Sequence, residues 1–247
     1  MNESTSRNGG LILLGVFLAV GLVAASFVVS GAMERIKRAG DTITVKGYAE
    51  VRVTSDTASW AGNLVARART LPEAYAIIER STARTTAFLT SQGIGVDQIT
   101  AEPVNVMPRY RVTERGQSTG EVASYELNRQ VRIAGGNVAA IASAARKVTD
   151  LVREGVEIMS FSPQYFVSDL DKVKLDLLGA ATRDARQRAE MFAANSGVRV
   201  GGLKDAQQGV FQITTPNSVE VAGYGMYDTS TIDKSVKAVI TARFFIE

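Results

Sequence analysis

Between Leu11 and Ala32 the chain reads LILLGVFLAVGLVAASFVVSGA, 22 residues without a charge. As a helix, at about 1.5 Å per residue, this run covers about 33 Å and is long enough to cross the hydrocarbon core of a bilayer. A cleaved signal peptide is the alternative, and Ser30 and Ala32 are small in the way a cleavage site needs. The run exceeds the ~7–15 apolar residues usual for a signal core, however, and its leading side is weakly basic, with Arg7 and the amino terminus alone. The expectation is therefore an uncleaved signal anchor over 11–32, a short tail over 1–10 and a basic linker over 33–40. Arg35, Lys37 and Arg38 follow the span, which by the positive-inside rule favours a cytoplasmic location for what comes next. Long domains often translocate regardless of such local charge.

The 247 residues include neither Cys nor His. Disulfides, thiolate nucleophiles, Cys- or His-ligated metals, His general bases and His-based triads are thereby excluded. No catalytic residue, cofactor or metal ligand is expected. The basic pI of 9.2 comes largely from the amino-terminal segment, since residues 41–247 hold 24 basic and 23 acidic residues. A domain so nearly neutral gives no electrostatic support to nucleic-acid binding. The juxtamembrane cations suit lipid headgroups instead.

From Ile43 the pattern turns regular. Ile43, Val45, Gly47, Ala49, Val51 and Val53 alternate with polar residues, the period of a half-buried strand, and a second alternation from Ala58 to Ala68 makes a hairpin. Thr70-Leu-Pro-Glu73 is a capping box with Pro in the first helical turn, and Gly93 ends that helix. Thr100–Val112 and Val122–Ala134 read as a long hairpin around a polar loop, Thr113–Gly120. Asn137 caps a small helix through Val152. Val156–Val167 reads as one strand, with a bulge where its apolar phase shifts between Ile158 and Phe161. Ser168 and Asp171 open the strongest helix, with Leu170, Val173, Leu177, Ala181, Ala185, Ala189 and Phe192 as its apolar stripe and Asp184/Arg188 and Arg186/Glu190 as i,i+4 pairs. Short strands near Phe211–Ile213 and Val236–Ile246 follow, separated by a long loop, Thr215–Ser235, of a length usually functional or mobile. The order ββαββαβαββ favours an α+β fold of antiparallel or mixed sheets with packed helices, preceded by one transmembrane helix.

Few residues suggest chemistry. Gly223-Tyr-Gly225 is a fragment of a phosphate-binding motif within a loop, and Asp169 and Asp171 begin a calcium-loop pattern that nothing completes; loop flexibility and helix-terminus electrostatics account for them. Arg183 and Asp184 would support acid–base work only if buried together. Trp60 beside Tyr48 could stack a ligand, though core burial is the commoner fate of Trp. Arg109, Tyr110 and Arg111, on the hairpin strand, are the candidate contacts for an anion or for another subunit.

Several segments in order resemble the SIMPL-domain family: ITVKGYAEVRV with Gly47, Asp56-Thr-Ala58, Gly93-Ile94, Asp97-Gln-Ile-Thr100, Pro108-Arg-Tyr110 with Tyr125, Gly155-Val-Glu-Ile158 with Phe161, and Ala181-Thr-Arg-Asp-Ala185 followed by Ala189, Gly197 and Gly202. Ser55 departs from the Pro usual before the Asp-Thr-Ala turn. The resemblance spans about Ile43–Glu247, making 41–247 a SIMPL domain. It implies a bacterial envelope protein whose folded part is periplasmic, and a homo-oligomer, in some relatives a ring, with a link to oxidative-stress tolerance in some. It carries over no catalytic residue. The expectation is a non-enzymatic, self-associating protein anchored in the inner membrane through Leu11–Ala32. A periplasmic module for an anionic envelope ligand is the alternative, and a hydrolase built from Asp, Glu, Lys and Arg alone is the third reading; it would need a buried carboxylate pair.

Overall fold

A computed structural model describes residues 15–30, 33, 41–220 and 222–247. Residues 15–30 are helical (α1), with exposed apolar side chains such as Phe17, Leu22 and Phe27. Among the described residues no helix is long and apolar enough to cross a membrane. The ends of the expected span, 11–14 and 31–32, lie outside the described residues, as do the 1–10 tail and most of the 33–40 linker.

From Asp41 onward the fold is α+β. In chain order come β1 (Thr42–Thr54), β2 (Thr57–Ala68), α2 (Leu71–Ser91), β3 (Ile99–Ala101), β4 (Asn105–Val112), β5 (Ser118–Gly135), α3 (Val138–Lys147), β6 (Glu157–Ser160), β7 (Gln164–Phe166), α4 (Leu170–Ser196), β8 (Val200–Gln208), β9 (Gln212–Thr214), β10 (Met226–Tyr227) and β11 (Asp233–Ile246). Two compact units share these elements. One comprises Met1–Ala49, Leu178–Gly209 and Ala238–Glu247; the other comprises Glu50–Leu177 and Val210–Lys237.

In the larger unit β2 is the central strand. It pairs antiparallel with β5 from Ala58↔Gly135 to Ala68↔Tyr125, and on its other side with β6 and β7. Beyond β5 lie β3 and β4, also antiparallel. The alternation of β2 puts Ala58, Trp60, Leu64 and Ala66 into one core with Leu127, Val131 and Ile133 of β5 and with Ile78, Leu89 and Ile141 of α2 and α3. The Trp60 indole lies over Gly62, where an added Cβ would stand 2.4 Å from the ring, and its Nε1–H donates to Ser160 Oγ at 3.0 Å. Trp60 is thus core, as burial-prone Trp usually is. The capping box forms at Thr70 and Glu73, and the Asn137 side chain accepts from the Ala140 amide at 3.1 Å. Arg129 on β5 reaches Glu79 Oε1 at 2.9 Å and Thr82 Oγ1 at 3.2 Å, tying α2 to the sheet.

The smaller unit rests on close approach. Ala181, Ala185, Ala189 and Ala193 form the buried stripe of α4. A Cβ built on Gly47 would meet Ala181 O at 2.1 Å and Ala185 Cβ at 2.7 Å, so strand and helix backbones touch there. The Tyr48 amide donates to Asp184 Oδ2 at 2.7 Å, and Arg188 Nε donates to the same oxygen at 2.7 Å. The end of β11 pairs antiparallel with β8, from Ile240↔Gln208 to Ile246↔Val200.

Several sequence expectations change. The alternations of β1 and β2 form strands but not the expected hairpin, because β1 pairs with β11 in one sheet and β2 with β5, β6 and β7 in the other. Phe192, expected on the apolar stripe of α4 that packs inward, is exposed, the buried stripe being alanine. Thr100–Val112 is two strands, β3 and β4, because Pro103 interrupts it. Val156–Val167 is likewise two strands, β6 and β7, broken around Pro163 rather than bulged. The helix expected to run from Asn137 to Val152 is α only to Lys147, after which a 3₁₀ segment runs to Glu154 and Gly155 at φ +81° ends it. Most notably, β8 occupies the stretch after Gly197 in which the sequence pattern marks no element.

The substitution Gly47→Ala is expected to cost about 2 kcal/mol or more, because backbone rather than a pliable side chain blocks the new methyl. Urea denaturation checks this; an unchanged midpoint would show that β1 and α4 do not touch as described.

Candidate functional site

The sequence candidates Arg109, Tyr110 and Arg111 lie on β4, and the geometry around them comes from a mismatch of strand lengths. β5 has 18 residues and β2 only 12, so β2 ends at Ala68, opposite Tyr125, and leaves residues 118–124 of β5 uncovered. Residues 118–124 of β5 have only β4 as partner, through Arg109↔Ser124, Tyr110↔Val122 and Val112↔Ser118. The result is a two-stranded ribbon in which every residue from Arg109 to Ala123 is exposed. Register shifts on either side of Tyr110 twist it. Tyr110 (50% exposed) stands opposite Val122 (38%), with Val112 (63%) and Val106 (41%) also uncovered.

A charge ladder holds the base of the ribbon. Arg109 Nη2 donates to Glu126 Oε1 at 2.8 Å, Arg67 Nε donates to Glu126 Oε2 at 2.8 Å, and Arg67 Nη1 donates to Glu157 Oε1 at 2.5 Å. Signs alternate across β4, β5, β2 and β6 in their order in the sheet. Glu126 is buried, and the hydrogen bonds from Arg109 and Arg67 outweigh the burial that would raise its pKa, bringing it down to about 2. It is therefore ionised, and each of its oxygens accepts from a guanidinium. Arg111 lies 3.6 Å from Glu121, both well exposed. The two arginines thus meet carboxylates of their own chain, and Tyr110 is the member of the trio that faces outward without a charge.

A second organised cluster, missed by sequence reasoning, occupies the expected Thr215–Ser235 loop. Lys234 is fully buried, with Nζ donating to Asp228 O at 2.6 Å and Thr231 O at 2.7 Å and lying 3.9 Å from Asp228 Oδ1. Burial lowers its pKa, against the pull of Asp228. Burial would raise the Asp228 pKa, but donors from Ser230 and Thr231, with the nearby ammonium, hold it below its ordinary value. Asp228 is an acceptor hub for the Ser230 and Thr231 amides and hydroxyls. Further along, the Gln212 amide donates to Ala222 O at 2.7 Å, Arg52 Nη2 donates to Asn217 Oδ1 at 2.9 Å, and β10 pairs parallel with β9. This segment is pinned by structure at many points. No spacing in the sequence flags a lone Lys whose partners are backbone carbonyls.

The remaining candidates have local roles. Asp184 belongs to the α4 contact with β1, and its pKa is lowered by the Tyr48 amide first and Arg188 second. Asp171 pairs with Lys174 at 3.2 Å. Ser55, where a Pro was the usual residue, is buried and donates its amide to Ile232 O at 2.8 Å, a bond that Pro could not make. Asp56 accepts from the Ser168 amide at 2.9 Å and from the Ser168 hydroxyl. Among the described residues no group of three or more acidic side chains could hold a metal ion.

These features define an α+β domain with an exposed two-stranded ribbon. The chain belongs to the SIMPL family, proteins of unknown function (DUF541), whose profile matches residues 43–244. No curated protein matches it. Among solved structures it is similar to a hydantoinase/carbamoylase family amidase from Burkholderia ambifaria (14% identity, 44% of this chain and 28% of that one, TM-score 0.24) and to one from Burkholderia multivorans (14%, 49% and 29%, TM-score 0.28). It is also similar to the regulatory subunit of aspartate kinase from Thermus thermophilus (12%, 78% and 87%, TM-score 0.20). The chain spans less than a third of the length of the two amidases, and likenesses this distant carry no functional inference.

Because the folded-state pKa of Glu126 is depressed, the ladder contributes stability that is present above its unfolded value near 4.5 and is lost as pH falls towards 2. Since both arginines are more than half exposed, Glu126→Gln is expected to cost only about 1 kcal/mol at pH 7. The variant should also lose less stability than the parent chain between pH 5 and 3. Equal acid dependence of the two chains, read by denaturant melts, would show that Glu126 is not held ionised by its neighbours.

Proposed function

We propose that this chain is a non-enzymatic envelope protein, tethered to the inner membrane through Leu11–Ala32 with residues 41–247 in the periplasm, and that its SIMPL domain self-associates. The observation that carries the association is the ribbon. Two-stranded hairpins are marginally stable in water, and this one displays Tyr110, Val112 and Val122 beyond the part of β5 that β2 covers. A ladder of ions at its base is a way to hold such a ribbon in place for packing against another copy. Pro108 and the paired Arg109 and Arg111 blunt the free edge of β4, so the apolar face rather than the edge is the contact. A role in stress tolerance would be served by the assembly.

The competing reading, an anionic ligand on Arg109, Tyr110 and Arg111, asks each guanidinium to leave a carboxylate it already meets. It predicts salt-sensitive binding lost in Arg109→Ala and Arg111→Ala with the fold intact.

Sedimentation of the full chain in detergent at micromolar concentration separates the readings. We expect particles of several 26.4 kDa subunits, reduced to monomers by Tyr110→Asp combined with Val112→Asp while circular dichroism is unchanged. A parent chain that remains monomeric contradicts the proposal.

A further inference from the structure

We infer that the outward stripe of α4 around Met191 and Phe192 is a lipid-contact surface, which lays the end of α4 against an anionic bilayer. The inference rests on the tethering reading above and extends it to the folded domain.

Met191 and Phe192 are 68% and 60% exposed, unusual for two adjacent large apolar side chains on a helix whose other face is a closely packed alanine stripe. With Asp184, Gln187, Arg188 and Asn195 they line one open hollow of about 480 Å³ on the helix surface. The spacing of these six residues puts them on one face of α4. The carboxylate on this face is neutralised: Asp184 accepts from the Tyr48 amide and from Arg188. Arg188 is half exposed and keeps its Nε on Asp184, so it is its Nη groups that can donate to a lipid phosphate without breaking that pair. Glu190, the neighbouring acid, is paired with Arg186 at 2.9 Å. An apolar pair flanked by an ion-paired arginine and amides, with no unpaired acid, suits the headgroup–acyl boundary.

Covalent geometry brings this face to the membrane. If 11–32 sits in the bilayer, the linker 33–40 can separate Asp41 from Ala32 by at most about 32 Å. Asp41 O accepts from the Ile246 amide at 3.2 Å. Glu247 and Arg199 then exchange both backbone hydrogen bonds, at 2.8 and 2.9 Å, and the Val198 amide donates to Ala193 O at 3.2 Å. The last turns of α4 are therefore stitched to the start of β1, at the tethered end of the domain. In sequence, the 33–40 linker carries Arg35, Lys37 and Arg38 against Glu34, a basic excess suited to lipid headgroups.

Because the chain has no Cys, single-site labels are clean. Full-length Phe192→Cys, and separately Met191→Cys, carry an environment-sensitive fluorophore and are reconstituted into vesicles of phosphatidylcholine and phosphatidylglycerol. Val20→Cys, labelled in the same way, reports the tether. We expect headgroup-region spin-labelled lipid to quench positions 191 and 192 at least twofold, less so in pure phosphatidylcholine or at high salt. Quenching by aqueous iodide without quenching by lipid overturns the inference. So does protection from both quenchers, which would mean that protein covers the face. If position 20 also escapes the lipid quencher, the tethering reading has failed; if position 20 is quenched and 191 and 192 are not, only the lipid-contact surface has. Two label positions, with Trp60 emission as a check on folding, guard against one misfolded variant.

Discussion

β5 is longer than any partner that covers it, and that inequality governs the larger unit. Its paired part, Tyr125–Gly135, is committed by β2 on one side and supplies Leu127, Val131 and Ile133 to the core. Its unpaired part must find hydrogen bonds elsewhere, and β4 provides them. The ribbon is the consequence of satisfying the backbone of β5 without a third strand. The ladder Arg109–Glu126–Arg67–Glu157 sits at the step where the sheet narrows to two strands, where the loss of neighbours would otherwise leave the ribbon loosely held.

A different constraint governs the smaller unit. Glycine at position 47 and alanine at 181, 185, 189 and 193 let α4 lie on β1 at backbone distance, so the helix turns its larger side chains outward. Small residues inside and Met191 and Phe192 outside are two results of one packing choice. The two surfaces carry different work in this account, the ribbon meeting protein and the helix stripe meeting lipid.

The legible parts of the sequence were those with a periodic burial signal or a local cap. The alternations of β1 and β2, the capping box at Thr70 and Glu73, the Asn137 cap and the i,i+4 pairs of α4 all express short-range rules. β8 escaped because Leu203 through Gln208 are exposed on both faces, so burial imposes no alternation on VGGLKDAQQ. The ladder escaped because Arg67 opposes Glu126 only once the register is known. Lys234 escaped because its partners are main-chain carbonyls brought to it by a turn. The strand pattern marks Arg109, Tyr110 and Arg111 as ligand or interface contacts, but spacing alone does not name the carboxylates that Arg109 and Arg111 meet.

Amide hydrogen exchange along residues 109–123, followed as the full chain is concentrated in detergent, addresses the assembly most directly. An isolated ribbon exchanges fast, because its hydrogen bonds open with little loss of buried surface. If the ribbon is the contact between subunits, these amides become slow at concentrations where subunits associate and fast again on dilution, while Tyr125–Gly135 stays slow throughout. Rapid exchange of the ribbon at every concentration would contradict that contact.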